Sequence, residues 1–280
     1  MAKVSAGVSL KTEPCLKVEG LSIDFGGLKA VSNFNLELRA GELVGLIGPN
    51  GAGKTTIFNM LSGIYTPGSG DIEFLDRLGN LYRIAKPGIK PAYLNRIGIA
   101  RTFQNIRLFS NLSVEDNIRI ALHSSRTVNP LDVLFRLPRF YHDEAHMEGR
   151  SAELLSIFNI EHKKYELARN LPYGEQRKLE IARALAGNPS LLLLDEPAAG
   201  MNGQETEELM KLISGIREKF RLTILLIEHD MRLVMGICER ILVLDYGRTI
   251  AQGEPEEIRK DPAVIKAYLG QEAVGSGFEG

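Results

Sequence analysis

The chain has 280 residues, 44% hydrophobic and 25% charged, the balance of a globular protein able to bury a full core in one large domain or a domain with a lobe. Its net charge of −1 leaves no global basic field, which argues against nucleic acid or an anionic membrane as the partner of its whole surface. The two cysteines, Cys15 and Cys238, lie far apart without metal-ligand spacing, so free thiols in a reducing compartment are expected. No apolar run is long enough to span a bilayer. Residues 1–14 lack the apolar core of a signal peptide and read as a loose tail. A cytoplasmic protein is expected, one that works at a membrane only through a partner.

Residues 15–47 read as strands. Leu16 and Val18, then Leu21, Ile23 and Phe25, then Leu36 and Leu38 alternate with polar neighbours, and Gly26-Gly27 and Ala40-Gly41 punctuate them. This is an antiparallel opening. It gives way to a continuous apolar run, Leu43-Val44-Gly45-Leu46-Ile47, followed by Gly48-Pro49-Asn50-Gly51-Ala52-Gly53-Lys54-Thr55 and then Thr56-Ile57-Phe58-Asn59-Met60-Leu61. The order is buried strand, glycine-rich turn, helix. Gly51 and Gly53 let the backbone turn successive N–H groups inward, and these, with the positive end of the helix, cradle phosphate. Lys54 then reaches the β- and γ-phosphates, and the Thr55 hydroxyl reaches magnesium. Gly48 through Thr56 are thus the expected nucleotide-binding set.

Ile72 and Phe74 suggest another strand. Residues 111–186 read as a helical lobe inserted into the core: Val114, Ile118 and Leu122 form one face behind Ser113 as N-cap, and Leu154, Leu155, Ile157 and Phe158 form another. The core resumes with Leu191-Leu192-Leu193-Leu194 and Thr223-Ile224-Leu225-Leu226-Ile227, two short apolar runs typical of buried parallel strands, joined by an amphipathic helix carrying Leu209, Leu212, Ile213 and Ile216. A hairpin follows around Asp245-Tyr246-Gly247-Arg248, then two short helices ending at Gly270, and residues 271–280 read as a second tail.

Asp195-Glu196 closes the first of these strands. Asp195 is placed to hold magnesium and Glu196 to polarise an attacking water; two solvated carboxylates at a strand end are the bland alternative, disfavoured by the phosphate loop upstream. Glu228-His229-Asp230 closes the other, with His229 expected to hydrogen-bond the γ-phosphate or the water and with Glu228 and Asp230 as solvated or capping residues. The turn Leu171-Pro172-Tyr173-Gly174-Glu175-Gln176 feeds a helix N-terminus, which physics alone reads as a helix start without a ligand.

Taken in order, the phosphate loop, Gln104 after Phe103, residues 171–176, Asp195-Glu196 and His229 resemble an ABC transporter ATPase subunit over nearly all of residues 16–270. The resemblance implies an α/β P-loop NTPase fold with a parallel core sheet, an antiparallel β subdomain and an inserted helical lobe. It implies that Gln104 contacts magnesium and the water and couples the site to a membrane partner, and that Phe25 stacks on adenine. It also implies that Tyr173, Gly174 and Glu175 act on the γ-phosphate of the opposite subunit across a dimer. ATP and Mg²⁺ are the implied cofactors. The stretches RTFQNIRLF, LPYGEQRKLEIARAL, LLLLDEPAAGMN and ILLIEHDM resemble the branched-chain amino acid importer branch. That branch pairs two ATPase subunits, alike or paralogous, with two membrane permease subunits and an extracytoplasmic solute-binding protein. Related branches carry urea or amides, and a more distant one exports lipopolysaccharide.

Two departures from the general family pattern stand out: Pro172 and Tyr173 where serine and glycine lie, and Asn202 where many relatives have aspartate. Both resemble the amino acid branch. Residues 131–140, apolar and basic, are expected either to pack on their own lobe or to touch the membrane subunit or lipid headgroups. Two rivals remain. A soluble ABC-type ATPase acting on DNA or ribosomes usually carries tandem domains or long coiled coils, which this chain lacks. A kinase using the same loop would not need the 171–176 turn or Glu196 with His229.

Overall fold

The computed structural model describes residues 14–124 and 138–275. The expected N-terminal tail up to residue 13 and most of the 131–140 segment lie outside the described residues.

Strands β1 (Pro14–Phe25) and β2 (Leu28–Arg39) form an antiparallel hairpin, joined by β4 (Ser69–Leu75) and β5 (Leu81–Arg83) in a four-stranded sheet ordered β2-β1-β4-β5. The second sheet has six strands, ordered β10-β9-β3-β8-β7-β6. Its members are β3 (Leu43–Ile47), β6 (Ile99–Arg101), β7 (Leu191–Asp195), β8 (Thr223–Ile227), β9 (Arg240–Asp245) and β10 (Arg248–Gly253). All its pairings are parallel except β9 with β10.

Every residue of β3, β7 and β8 is buried, because side chains leave both faces of this sheet into a core. Leu43, Ile47, Leu192, Leu194, Ile224 and Leu226 point to one core, which they share with the helices. Val44, Leu46, Leu191, Leu193, Leu225 and Ile227 point to the other, shared with the antiparallel sheet and with Ile57, Phe58 and Leu61 of α1 (Lys54–Leu61). The period of two explains why these strands read as unbroken apolar runs while β1 and β2 alternate.

The short helix α2 (Pro91–Ile97) leads into β6, and neither element has a periodic signal in the sequence. The lobe contains α3 (Val114–Ser124), α4 (Pro138–Ile157) and α5 (Tyr173–Ala186). Val114, Ile118, Leu122, Leu154, Leu155 and Phe158 are buried in it, and the Asp116 N–H donates to Ser113 Oγ at 3.0 Å as an N-cap. Helix α6 (Gly203–Phe220) connects β7 to β8, α7 (Met231–Ile237) connects β8 to β9, and α8 (Pro255–Ile258) and α9 (Pro262–Gly275) follow β10. Helix α9 runs past Gly270, where the sequence pattern ends it, so residues 271–275 are helical rather than tail. Among the described residues no helix is long and apolar enough to cross a membrane.

Cys15 and Cys238 are free and buried. Burial pushes the Cys15 thiol up to about 11, opposed by its hydrogen bond to Thr223, and pushes Cys238 up to about 12. Thiolate is the reactive form, so neither cysteine should be modified by an aromatic disulfide reagent at about pH 8 in the folded protein, whereas both should react after unfolding in urea. Stoichiometric labelling of the folded chain would contradict this burial.

Candidate functional site

The loop between β3 and α1 is shaped by two close approaches. At Gly48, with φ 147°, a Cβ would lie 2.1 Å from the carbonyl oxygen of Leu244. At Gly53, with φ 103°, it would lie 2.6 Å from that of Ala30. Only glycine fits both places. The turn after β9 braces the loop from outside: the Gly247 N–H donates to Ala52 O at 2.9 Å. Residues 50–56 line a cleft of about 280 Å³ together with Leu28, Lys29, Ala30, Glu196 and Tyr246. Lys54, 8% exposed, donates from Nζ to Gly48 O at 2.6 Å and Pro49 O at 2.9 Å. Burial lowers its pKa, and the charges of Glu196 and Asp195 oppose that shift.

The C-terminal ends of neighbouring strands bring the other expected groups to this edge. Asp195 ends β7 and is buried. Glu196, the next residue, sits in the left-handed region at φ 46°, and its N–H donates to Ile227 O at 2.9 Å. Gln104 follows β6, and its Nε2 donates to Glu196 Oε2 at 2.7 Å. His229 follows β8, with Nδ1 3.8 Å from the same oxygen. Gln104, Glu196 and His229, far apart in sequence, thus converge on one carboxylate.

Thr55, Gln104 and Asp195 offer the hard oxygen donors that magnesium prefers. Among the described residues there is no group of three or more His, Cys, Asp or Glu able to hold a metal ion. A hydroxyl, an amide oxygen and one carboxylate suit a magnesium ion whose shell is completed by phosphate oxygens and water.

Phe25 is 43% exposed, and its ring meets that of Tyr65 edge to face with centroids 5.3 Å apart. It precedes the Gly26-Gly27 turn, beyond which Leu28 enters the cleft lining. Tyr173, Gly174 and Glu175 begin α5 and do not line the cleft. The Glu175 carboxylate accepts from Lys163 Nζ at 2.6 and 2.8 Å, which ties the turn to its own lobe. Asn202 caps α6 by accepting from the Gln204 and Glu205 N–H groups, both at 3.0 Å, in a capping box with Glu205. Asparagine serves this purpose as well as aspartate, which gives the departure at this position a local reason. Asp230 caps α7 as expected. Glu228 does not fit the solvated reading: it is 1% exposed.

Two buried arginines belong to the site and carry no separate signal in the sequence. Arg101, at the end of β6, pairs with Asp195 Oδ2 at 2.7 Å and donates to Asn59 Oδ1 and Ser62 Oγ of α1 and its C-cap, both at 2.8 Å. Phe58 and Phe103 face its guanidinium. Arg177, fully buried in the N-terminal half of α5, donates to Phe103 O at 2.6 Å, Gln104 O at 2.9 Å and Glu196 O at 3.3 Å. Its ion-pair partner Glu180 lies at 2.7 Å. Arg177 thus ties the start of α5 to the Gln104 and Glu196 backbone.

Residues 31–199 match the profile of the ABC transporter family, and residues 248–274 match that of the branched-chain amino acid ATP-binding cassette transporter. The chain is 46% identical over 260 residues to the high-affinity branched-chain amino acid transport ATP-binding protein LivG of Salmonella typhimurium, covering 93% of this chain and 99% of that protein. It is 45% identical over 260 residues to BraF of Pseudomonas aeruginosa, with the same coverage. To the lipopolysaccharide export ATP-binding protein LptB of Escherichia coli it is 35% identical, covering 92% of this chain and 98% of that one. Among solved structures, the ADP conformation of an ATP-binding cassette of an ABC transporter superposes with a TM-score of 0.78 at 28% identity, covering 92% of this chain and all of the other.

Removing one partner of a buried ion pair leaves the other charge uncompensated. Arg101→Met should therefore lower the unfolding free energy by about 3 kcal/mol in urea titrations. In an Asp195→Asn background, where no carboxylate charge is stranded, the same substitution should cost at least about 1 kcal/mol less. Equal costs in both backgrounds would mean that the pair contributes nothing of its own.

Proposed function

The chain belongs to the ABC transporter family of ATP-binding proteins, and on that footing we propose how its residues work as the ATP-hydrolysing subunit of a branched-chain amino acid importer. It binds and hydrolyses ATP, and its membrane partners are permease subunits of the transporter. The observation that carries the mechanism is the convergence of Gln104 and His229 on Glu196, at the edge where Lys54 closes the phosphate loop.

Backbone N–H groups of residues 50–56 hold the phosphates, and Lys54 moves from the Gly48 and Pro49 carbonyls to the β- and γ-phosphates. Phe25, backed by Tyr65, stacks on adenine. Thr55, Asp195 and Gln104 would hold magnesium, which when bound would supply charge neutralisation to the phosphates. Glu196 orients the water that attacks the γ-phosphorus, and ADP leaves on the opposite side. His229 hydrogen-bonds the γ-phosphate, and Gln104 positions the same water. The work is placement and electrostatics rather than covalent chemistry.

The site is completed across a dimer. Tyr173, Gly174 and Glu175 of a second ATPase subunit, identical or paralogous, meet the γ-phosphate, with backbone N–H groups in place of the missing serine hydroxyl. Two ATP molecules hold the subunits together, and hydrolysis releases them. Two permease subunits convert closing and opening into inward and outward states, and an extracytoplasmic solute-binding protein delivers the substrate. The ATPase works on the cytoplasmic face. Its greater identity to LivG and BraF than to LptB, and the match of residues 248–274, support amino acid import over export.

Glu196→Gln should form a dimer on addition of magnesium-ATP but not ADP, read as mass in solution by light scattering. Lys54→Ala in that background should remain monomeric. A folded Glu196→Gln chain that binds no ATP would overturn the assignment of the cleft. One that binds ATP firmly yet stays monomeric would place closure under the control of the permease subunits or a different ATPase partner.

A further inference from the structure

Glu228 is a buried carboxylate with no part in the chemistry above, and its two oxygens serve two different loops. Oε1 accepts from the Ala198 N–H at 2.7 Å, in the segment that follows Glu196. Oε2 accepts from the N–H groups of His229 at 3.0 Å and Asp230 at 3.3 Å. The nearest cation candidate is the His229 ring, with Nδ1 3.9 Å from Oε2. Backbone amides therefore supply its recorded hydrogen bonds. Burial raises the Glu228 pKa, and these amides act against that rise by favouring the charged form.

The arrangement matters because of Glu196. Its backbone lies in the left-handed region, a conformation that a residue other than glycine keeps only where its surroundings fix it. The restraints come from three directions. The Glu196 N–H is held by Ile227 O at 2.9 Å, and its carbonyl by Arg177 Nη2 at 3.3 Å. The chain two residues on is held by Glu228 at Ala198. The end of β8 thus controls both the segment carrying Glu196 and the segment carrying His229.

We propose that Glu228 is a positioning residue for ATP hydrolysis: by holding the Ala198 and His229 amides with one carboxylate, it fixes the spacing between the Glu196 and His229 side chains. This rests on the reading that Glu196 and His229 act on the attacking water and the γ-phosphate. A carboxylate is required because both oxygens must accept. An amide of the same size has one acceptor oxygen, and its NH₂ group would face an N–H donor in one of the two loops. A carboxylate shorter by one methylene keeps the charge but does not reach both loops.

The test uses the full-length chain, with Glu196→Gln as control. Glu228→Gln should lower kcat for ATP at least about tenfold while KM stays within about twofold, since the phosphate loop is untouched. Amides of residues 197–202 should exchange with deuterium at least about tenfold faster at a temperature well below the variant's own thermal midpoint, where the molecule stays folded. A merely structural role would move the midpoint and leave the rate per folded molecule alone. Glu228→Asp is the second variant, with the same two changes expected even if Glu228→Gln does not fold. A folded variant with faster exchange and an unchanged kcat would overturn the proposal, as would a lowered kcat with unchanged exchange. Should Glu196→Gln hydrolyse ATP at the wild-type rate, the underlying assignment of Glu196 would fail instead, whatever Glu228→Gln does.

Discussion

Because both faces of the parallel sheet are buried, the strands of this protein can present chemistry only at their ends. Neither face of β3, β7 or β8 has room for a polar group that meets water. The side chains proposed to carry the reaction are accordingly the residues that come just after apolar runs: Lys54 past β3, Asp195 and Glu196 at the end of β7, and His229 past β8. Parallel pairing then does the assembly, since it puts all these ends on one edge. Gln104 joins them from the outer strand β6 through its register with β7. The catalytic geometry follows from strand direction and side-chain burial before any ligand enters.

Beneath this edge several charges lie near one another out of water, and the structure holds them as paired or amide-bound groups. Arg101 lies against Asp195, Glu180 against Arg177, and Glu228 against amides from two loops. Ion pairs of this kind add little to stability compared with apolar packing of the same volume, because desolvation offsets much of the attraction. Their contribution is directional. Arg101 ties α1, β6 and β7 to a single guanidinium, and Arg177 ties the N-terminal half of α5 to the backbone at Gln104 and Glu196. The helical lobe is thus linked directly to the Glu196 backbone by a hydrogen bond.

The sequence made the core strands legible because an apolar run too short for a helix has few other uses, and the phosphate loop because its glycines and lysine sit between such a strand and a helix. The resemblance to ABC ATPase subunits pointed to Gln104, and its place after a core strand pointed to His229; here they meet at Glu196. Short elements were not legible. Strands β5 and β6 have three residues each, fewer than a period-two pattern needs to declare itself. The buried polar groups were harder still. Glu228, between an apolar strand and His229-Asp230, looks like the first solvated residue of a loop, and the Ala198 amide that meets it comes from a segment 30 residues away. Arg101 and Arg177 look like ordinary surface cations on a charged segment. Their partners are 94 and 3 residues away, and the wider set of carbonyls around Arg177 belongs to segments that meet only in three dimensions. Tyr65 had no pattern to mark it as the neighbour of Phe25.

The hold of Gly48 and Pro49 on the Lys54 ammonium has a consequence for ligand discrimination. Those carbonyls are internal competitors: any incoming nucleotide must replace two charge-assisted hydrogen bonds before the lysine is free. A diphosphate or triphosphate offers anionic oxygens in exchange and recovers the loss. A nucleoside or a monophosphate has no β-phosphate to offer in that exchange. On the proposed reading, discrimination against AMP would begin with the two carbonyls that already hold the lysine.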